Sequence, residues 1–251
     1  MDLFTLPPLA AILDAMYVAM MWLTDLLQPV AGDASAAAAI VLLTLIVRAA
    51  LIPVGISQAK AEQTRARLAP RLRAIQKRYK HDRERQQREM MKLYADENTS
   101  PFAGLLPVLA QAPIVGIIYA LFLHSTIAGH ANALLTEQLA GVPLGTSVVG
   151  SLGTFDPAIG VVFGILIAIM CVVAEITRRA FRPPVAAAAA DADASPLTSL
   201  GAQRVMGLLQ YATAAVLLFV PLAAALYLTV TVAWTLVQRL LLRRRYPLPQ
   251  V

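Results

Sequence analysis

A chain of 251 residues with one cysteine has no intrachain disulfide. Cys171 lies inside an apolar run, so it is not a lipid-carrying amino-terminal cysteine either. Charge is scarce: 14% of residues are Asp, Glu, Lys or Arg, where a soluble domain carries about 25%. Lys and Arg are missing altogether from 1–47 and from 93–177. The start, Met1-Asp2-Leu3-Phe4, lacks the basic region of a cleaved signal peptide. His81, His124 and His130 have no metal-ligand spacing. No Gly-rich phosphate loop and no Ser-His-Asp arrangement is evident. The chain is therefore not expected to be an enzyme, and no cofactor is implied. Aromatic residues are few, at 6%, and no base-stacking set accompanies the basic segment, which argues against nucleic acid as a specific ligand.

What is present is apolar. Hydrophobic residues make up 58% of the chain and the mean hydropathy is +0.66. An all-α polytopic membrane protein is expected. A hydrocarbon core of about 30 Å takes about 20 apolar residues as helix. That yardstick gives five spans: 35–55, 104–124, 158–178, 204–220 and 221–241. The last two come from one apolar run that Pro221 divides at a tight turn. Residues 1–34 would form an outer tail with an interfacial helix over 9–28. There Asp14 and Asp25, eleven residues apart, share a face with Tyr17 and Gln28 close by.

The basic residues test this order of spans, because positive charge stays on the cytoplasmic side. Apart from Arg48, they fall in 56–103, in 179–203 with its neighbours Arg178 and Arg204, and around the short tail 242–251. The loop 125–157 carries Glu137 and Asp156 and no Lys or Arg, so it is placed outside, together with the amino terminus. Residues 183–196 are a low-complexity linker, mostly Ala with Pro at each end.

Residues 58–97 hold twelve basic and six acidic side chains, which is the whole net excess of +6. The basic set is Lys60, Arg65, Arg67, Arg71, Arg73, Lys77, Arg78, Lys80, Arg83, Arg85, Arg88 and Lys92. Leu68, Leu72, Ile75 and Tyr79 recur at helical spacing, His81-Asp82 marks a break, and Met90, Leu93 and Tyr94 give a second apolar edge. A cytoplasmic helical hairpin over 56–103 is predicted, with a kink or restart at Pro70. Such a surface favours anionic lipid headgroups by about 1 kcal/mol per basic residue.

One cation stands apart. Arg48 sits inside the run Ile40–Ile52. A central arginine costs roughly 2.5–3.5 kcal/mol on insertion scales. Either it snorkels, being only about 10 Å of helix rise from the end of its span, or it lies in a wet polar site and is used. Thr44 is one turn earlier on the same side. Gln111 is mid-span, where an amide needs a partner or water. Pro107, Pro113, Gly104 and Gly116 loosen that span. Glu175 with Arg178 and Arg179 reads as an ion pair at a helix end. Trp22 and Trp234 suit interface anchors.

Thr44-Leu-Ile-Val-Arg48 with Ile52-Pro53 resembles the first conserved span of the YidC-type membrane protein insertases, a family with mitochondrial and chloroplast relatives. The resemblance continues through Leu68-Ala-Pro70, Ile75–Tyr79 and Glu89–Tyr94. It is strongest over Pro101–Ile114 and extends to Val142-Pro143-Leu144-Gly145, which is similar to actinobacterial members. It implies a polar groove open to the cytoplasm and to lipid, lined by Arg48, Thr44, Gln111 and Tyr227. It implies membrane protein insertion and chaperoning in a bacterial plasma membrane. The partners implied are nascent membrane proteins, with the secretion channel and the ribosome as further ones met by the hairpin. Two departures stand out. Val220-Pro221-Leu222-Ala223 replaces the family's frequent Pro-Ser-Gly turn, and the chain ends soon after Arg243–Arg245, which speaks against ribosome docking through a long basic tail. No large outer domain is expected. The rival readings are an assembly chaperone acting only beside the secretion channel, and a small-solute transporter or channel with Arg48 as its anion site.

Overall fold

A computed structural model describes residues 7–100, 102–103, 106–153, 156–181 and 211–247. The linker 183–196, Arg182, Arg204, the first part of the span 204–220, the end of the tail, residues 1–6 and part of the Pro101–Ile114 motif lie outside the described residues.

The chain is mostly helical. In order come α1 (Pro7–Ala31), a 3-10 turn (Gly32–Ala34), α2 (Ser35–Ala50), α3 (Ile52–Arg78), α4 (Arg83–Asp96), α5 (Leu106–Leu123), α6 (Pro157–Ala180) and α7 (Leu222–Arg245). Three helical stretches among the described residues are long and apolar enough to cross a membrane: Pro7–Ala50, α6 and α7. The last part of α5, Ala112–Leu123, is apolar but shorter. Residues 211–216 are helical, so the span expected over 204–220 is described only in its second half. Two compact units result: Met1–Arg48 with Gly116–Leu236, and Ala49–Val115 with Val237–Val251.

In the first unit, the helices bury one face and expose a second apolar one. On α6, Phe163, Leu166, Met170 and Val173 are buried, while Val161, Ile165, Ile169, Val172 and Ile176 are exposed. A helix in water would carry polar residues on that outer face; an apolar one suits lipid. Small residues dominate the buried faces of α2 (Ala36, Ala37, Ala39) and of α7 (Ala223, Ala224, Ala225). Without a hydrophobic driving force between helices in lipid, close approach over small side chains supplies the packing.

α1 ends at Gly32, whose φ of +53° is the left-handed cap that glycine takes without strain. Its polar stripe meets a partner: Asp14 and Tyr17 face the loop between α5 and α6. That loop is more ordered than its composition suggests. Two strand pairs, β1 (Thr126–Ile127) with β2 (His130–Ala131) and β3 (Gln138–Leu139) with β4 (Val142–Pro143), form antiparallel hairpins. The Asn132 amide donates to the carbonyls of Leu121 and His124 at 2.8 and 2.9 Å, closing the open end of α5. Val142 and Leu144 are fully buried. At Gly145 a Cβ would stand 3.0 Å from the Leu135 carbonyl oxygen, which leaves little room for a side chain. The loop carbonyls of Thr146 and Leu144 accept from the N–H groups of Leu222 and Ala223, both at 2.9 Å, so they satisfy two otherwise open donors at the start of α7.

The second unit holds the hairpin. α3 turns at Tyr79, and Asp82 caps α4, its carboxylate accepting from Arg85 N–H at 3.0 Å. The break thus falls where His81-Asp82 predicts it. The two expected apolar edges, Leu72, Ile75 and Tyr79 against Met90, Leu93 and Tyr94, are half-buried, and Leu68 is fully buried. The restart expected at Pro70 is absent: α3 is continuous from Ile52 to Arg78. Proline removes one intrahelical bond there, and the burial of Leu68 helps hold the helix through it. A break comes earlier instead. The helix expected over 35–55 stops at Ala50, with Leu51 at φ −89° and ψ 5°, and restarts with Pro53 in its first turn. Proline lacks the N–H that would continue α2 and its ring would crowd the carbonyl of Ala49, whereas a first turn tolerates both. The end of α7 lies against α3: Glu62 is 3.7 Å from Arg239 and 3.9 Å from Arg243, and Gln63 donates to the Pro247 carbonyl at 3.0 Å.

Candidate functional site

The break at Leu51 sets the position of Arg48. It places the arginine in the last turn of α2, where the helix dipole favours a cation. The side chain is half-buried. Its guanidinium lies within electrostatic reach of the hydroxyl of Tyr227, in the second turn of α7. No carboxylate among the described residues pairs with it. Tyr227 is itself only 3% exposed, and its ring packs against Phe122 of α5, with centroids 5.8 Å apart and planes at 49°. The phenol ring is thereby held by an aromatic contact, with its hydroxyl in the electrostatic surroundings of the arginine. One turn further along α7, the buried Thr231 hydroxyl points into the same region without a well-formed hydrogen bond.

Thr44 lies one turn before Arg48 and is 2% exposed. Its hydroxyl donates to the Ile40 carbonyl at 2.6 Å, so its hydrogen-bonding capacity is taken up within its own helix. Gln111 belongs to α5, in the other compact unit, and its side chain lies outside the described residues. Of the four groove residues expected from the sequence, Arg48 and Tyr227 are neighbours, and Thr44 lies one turn before Arg48 on α2.

An arginine cluster closes the carboxyl-terminal end of α6. The Glu175 carboxylate accepts from Arg178 at 2.6 and 2.7 Å, from Arg179, and from the Tyr211 hydroxyl at 2.6 Å. The i,i+3 and i,i+4 spacing foretells both arginines. Tyr211, 36 positions away, gives no such signal.

In the hairpin, Arg67 and Arg71 both bond Glu97 at 2.7 Å, and Arg88 reaches Glu84 at 3.2 Å. Arg78 and Arg85 flank the Tyr79 ring at 5.5 and 5.6 Å, and Lys60 lies 5.9 Å over the Tyr246 ring. Arg65, Arg73, Lys77, Lys80, Arg83 and Lys92 are exposed. The outcome is a solvent-facing basic surface on a pair of helices with few apolar contacts.

Among the described residues no group of His, Cys, Asp and Glu could hold a metal ion.

Comparison with known proteins gives these arrangements a context. The sequence model of the 60Kd inner membrane protein family matches residues 26–249. The membrane protein insertase YidC of Streptomyces avermitilis is 39% identical over 100 residues, covering 40% of this chain and 23% of that protein. The membrane protein insertase YidC of Clostridium perfringens is 43% identical over 83 residues, or 33% of this chain and 35% of that protein. The chloroplastic inner membrane protein PPF-1 of Pisum sativum is 38% identical over 131 residues, 52% of this chain and 28% of that protein. The matched part thus spans about a quarter to a third of these relatives.

Proposed function

The chain belongs to the 60Kd inner membrane protein family and is a multi-pass membrane protein, and from that premise we propose that it works as a YidC-type membrane protein insertase and chaperone. Its clients are nascent membrane proteins, and it moves their short hydrophilic segments across a bacterial plasma membrane without nucleotide hydrolysis. The observation that carries this reading is Arg48: a half-buried cation at the end of an apolar helix, with a phenol and no carboxylate beside it among the described residues. A cation matched by a carboxylate is electrostatically complete. One matched by a phenol keeps its charge available, and an incoming client carboxylate can form the charge-assisted bond that is missing.

The arrangement we propose has five spans, with the amino terminus outside and the carboxyl terminus in the cytoplasm. α1 lies in the outer interface, with its exposed Val18, Trp22, Leu26 and Val30 toward lipid. Arg48, Thr44, Gln111 and Tyr227 line the groove. The basic hairpin faces anionic lipid and recruits clients, the ribosome and the secretion channel. A client segment enters the groove through its acidic residues and leaves sideways. Its apolar surface gains roughly 25 cal/mol per Å² as it enters lipid, and this drives the step.

The test uses liposomes containing the full chain alone and a small client with a short acidic outer tail. Protease protection of the tail, above empty liposomes, is expected with the wild type and is lost in Arg48→Ala. Protection absent from the folded wild type would overturn autonomous insertion in favour of assembly beside a channel. Chloride or small-anion flux dependent on Arg48, without tail protection, would support the transporter reading.

A further inference from the structure

The loop between α5 and α6 holds three helices by two kinds of bond. Its grip on α7 consists of backbone bonds from Leu222 and Ala223 to the loop, and from Val149 N–H to the Leu218 carbonyl at 3.0 Å. Its grip on α5 is the Asn132 amide. None of these groups gains or loses a proton near neutral pH. Its grip on α1 is of a different kind. His130 Nε2 lies 3.0 Å from an Asp14 carboxylate oxygen, the imidazole is tilted against the Tyr17 ring with centroids 5.0 Å apart, and Ala133 N–H donates to the Tyr17 hydroxyl at 3.3 Å.

Both ring nitrogens of His130 face oxygen acceptors. Nε2 meets Asp14, and Nδ1 meets the Ala131 carbonyl at 3.4 Å. A neutral imidazole has one N–H and can satisfy only one of them; the imidazolium donates to both. We propose that His130 and Asp14 form a proton-operated clasp, which fastens α1 to the loop when the imidazole is protonated and loosens it when the imidazole is neutral. The site would sense the pH of the compartment that the loop faces, which is the outside in the topology proposed above. The clasp itself does not depend on the insertase reading.

The surroundings are simple. α1 presents Asp14 and Tyr17 to the ring, and β1, opposite β2, carries no ionisable side chain. Asp25, Asp33, Glu137, Asp156, His124 and Tyr119 are the other ionisable groups of α1, the 3-10 turn, the loop and the last part of α5, and none is among the groups that act on His130. The hydrogen bond to Asp14, then that to the Ala131 carbonyl, raise the histidine above its ordinary 6.5. A raised histidine contributes stability that is complete below the ordinary value and disappears as pH climbs through the folded one. The clasp is therefore closed below the ordinary histidine value and opens as pH climbs through the raised folded one.

Amide hydrogen exchange of the full chain in lipid nanodiscs tests this, read over residues 7–31 from about pH 5 to about pH 9 and corrected for intrinsic exchange. Protection of α1 should fall in one step as pH rises, while that of α6 stays flat. The step should vanish in His130→Gln and in Asp14→Asn. A flat wild-type profile overturns the clasp, as does a step that survives in His130→Gln. The wild-type profile can do so even if both variants prove unstable.

Discussion

α2 and α6 both finish with arginine, and the two ends are built differently. At α6, Arg178 and Arg179 converge on Glu175, and Tyr211 supplies another donor from a distant part of the chain. Every lone pair of that carboxylate is directed at a donor, so each arginine there has a carboxylate to bond, although the two share one negative charge. At α2, Arg48 has the hydroxyl of Tyr227 and no carboxylate among the described residues. The first arrangement closes a helix end. The second leaves a positive charge incompletely matched beside buried phenol and threonine, a condition that costs stability and is retained where an outside group completes it.

Substitutions can separate these two roles. The largest effect is expected from Arg48→Ala, which should reduce tail protection by about tenfold or more, since a single charged hydrogen bond is worth roughly 1.5–3 kcal/mol. Its thermal midpoint should hold or rise, because a poorly matched cation has left an apolar helix. Glu175→Gln should do the reverse: it strands two arginines, lowers the midpoint in scanning fluorimetry, and leaves insertion within about twofold. If both variants lose stability alike, the distinction between the two ends collapses. Tyr227→Phe should fall between them, with a loss of insertion of about two- to fivefold, as the arginine keeps its charge but loses its polar neighbour. The smallest effect belongs to the hairpin. Glu97→Gln frees the exposed Arg67 and Arg71 at a cost of about 0.5 kcal/mol. It should appear only as faster exchange in α3 and α4 at low salt.

The sequence made some of this legible and some not, for definite reasons. The hairpin could be read because its signals are local: apolar residues at helical spacing and the break at His81-Asp82. Glu175 with its arginines was equally local. Arg48 stood out through cost, since a charge in such a run demands an account. Tyr227 came through family resemblance, as nothing in its own surroundings singles it out. Tyr211, Phe122 and the loop's hold on three helices depend on contacts between residues far apart in the chain, which spacing does not encode. The polar stripe on α1 could be seen, but its partner could not: Asp14 and His130 are 116 positions apart. Pro70 and Pro53 show the limit of local rules. The first is absorbed within a long helix and the second coincides with a break, and only the surrounding packing tells them apart.

The turn before α7, Val220-Pro221-Leu222-Ala223, carries no glycine, and the fold shows why it needs none. The N–H groups of Leu222 and Ala223 are met by carbonyls of the loop, atoms that every residue possesses. Nothing in that contact asks for a particular side chain; it asks for volume small enough to admit the loop. The requirement on evolution is therefore one of shape, spread over Gly145, Ala223 and Ala224, and drift at this turn is permitted as long as the fit is kept.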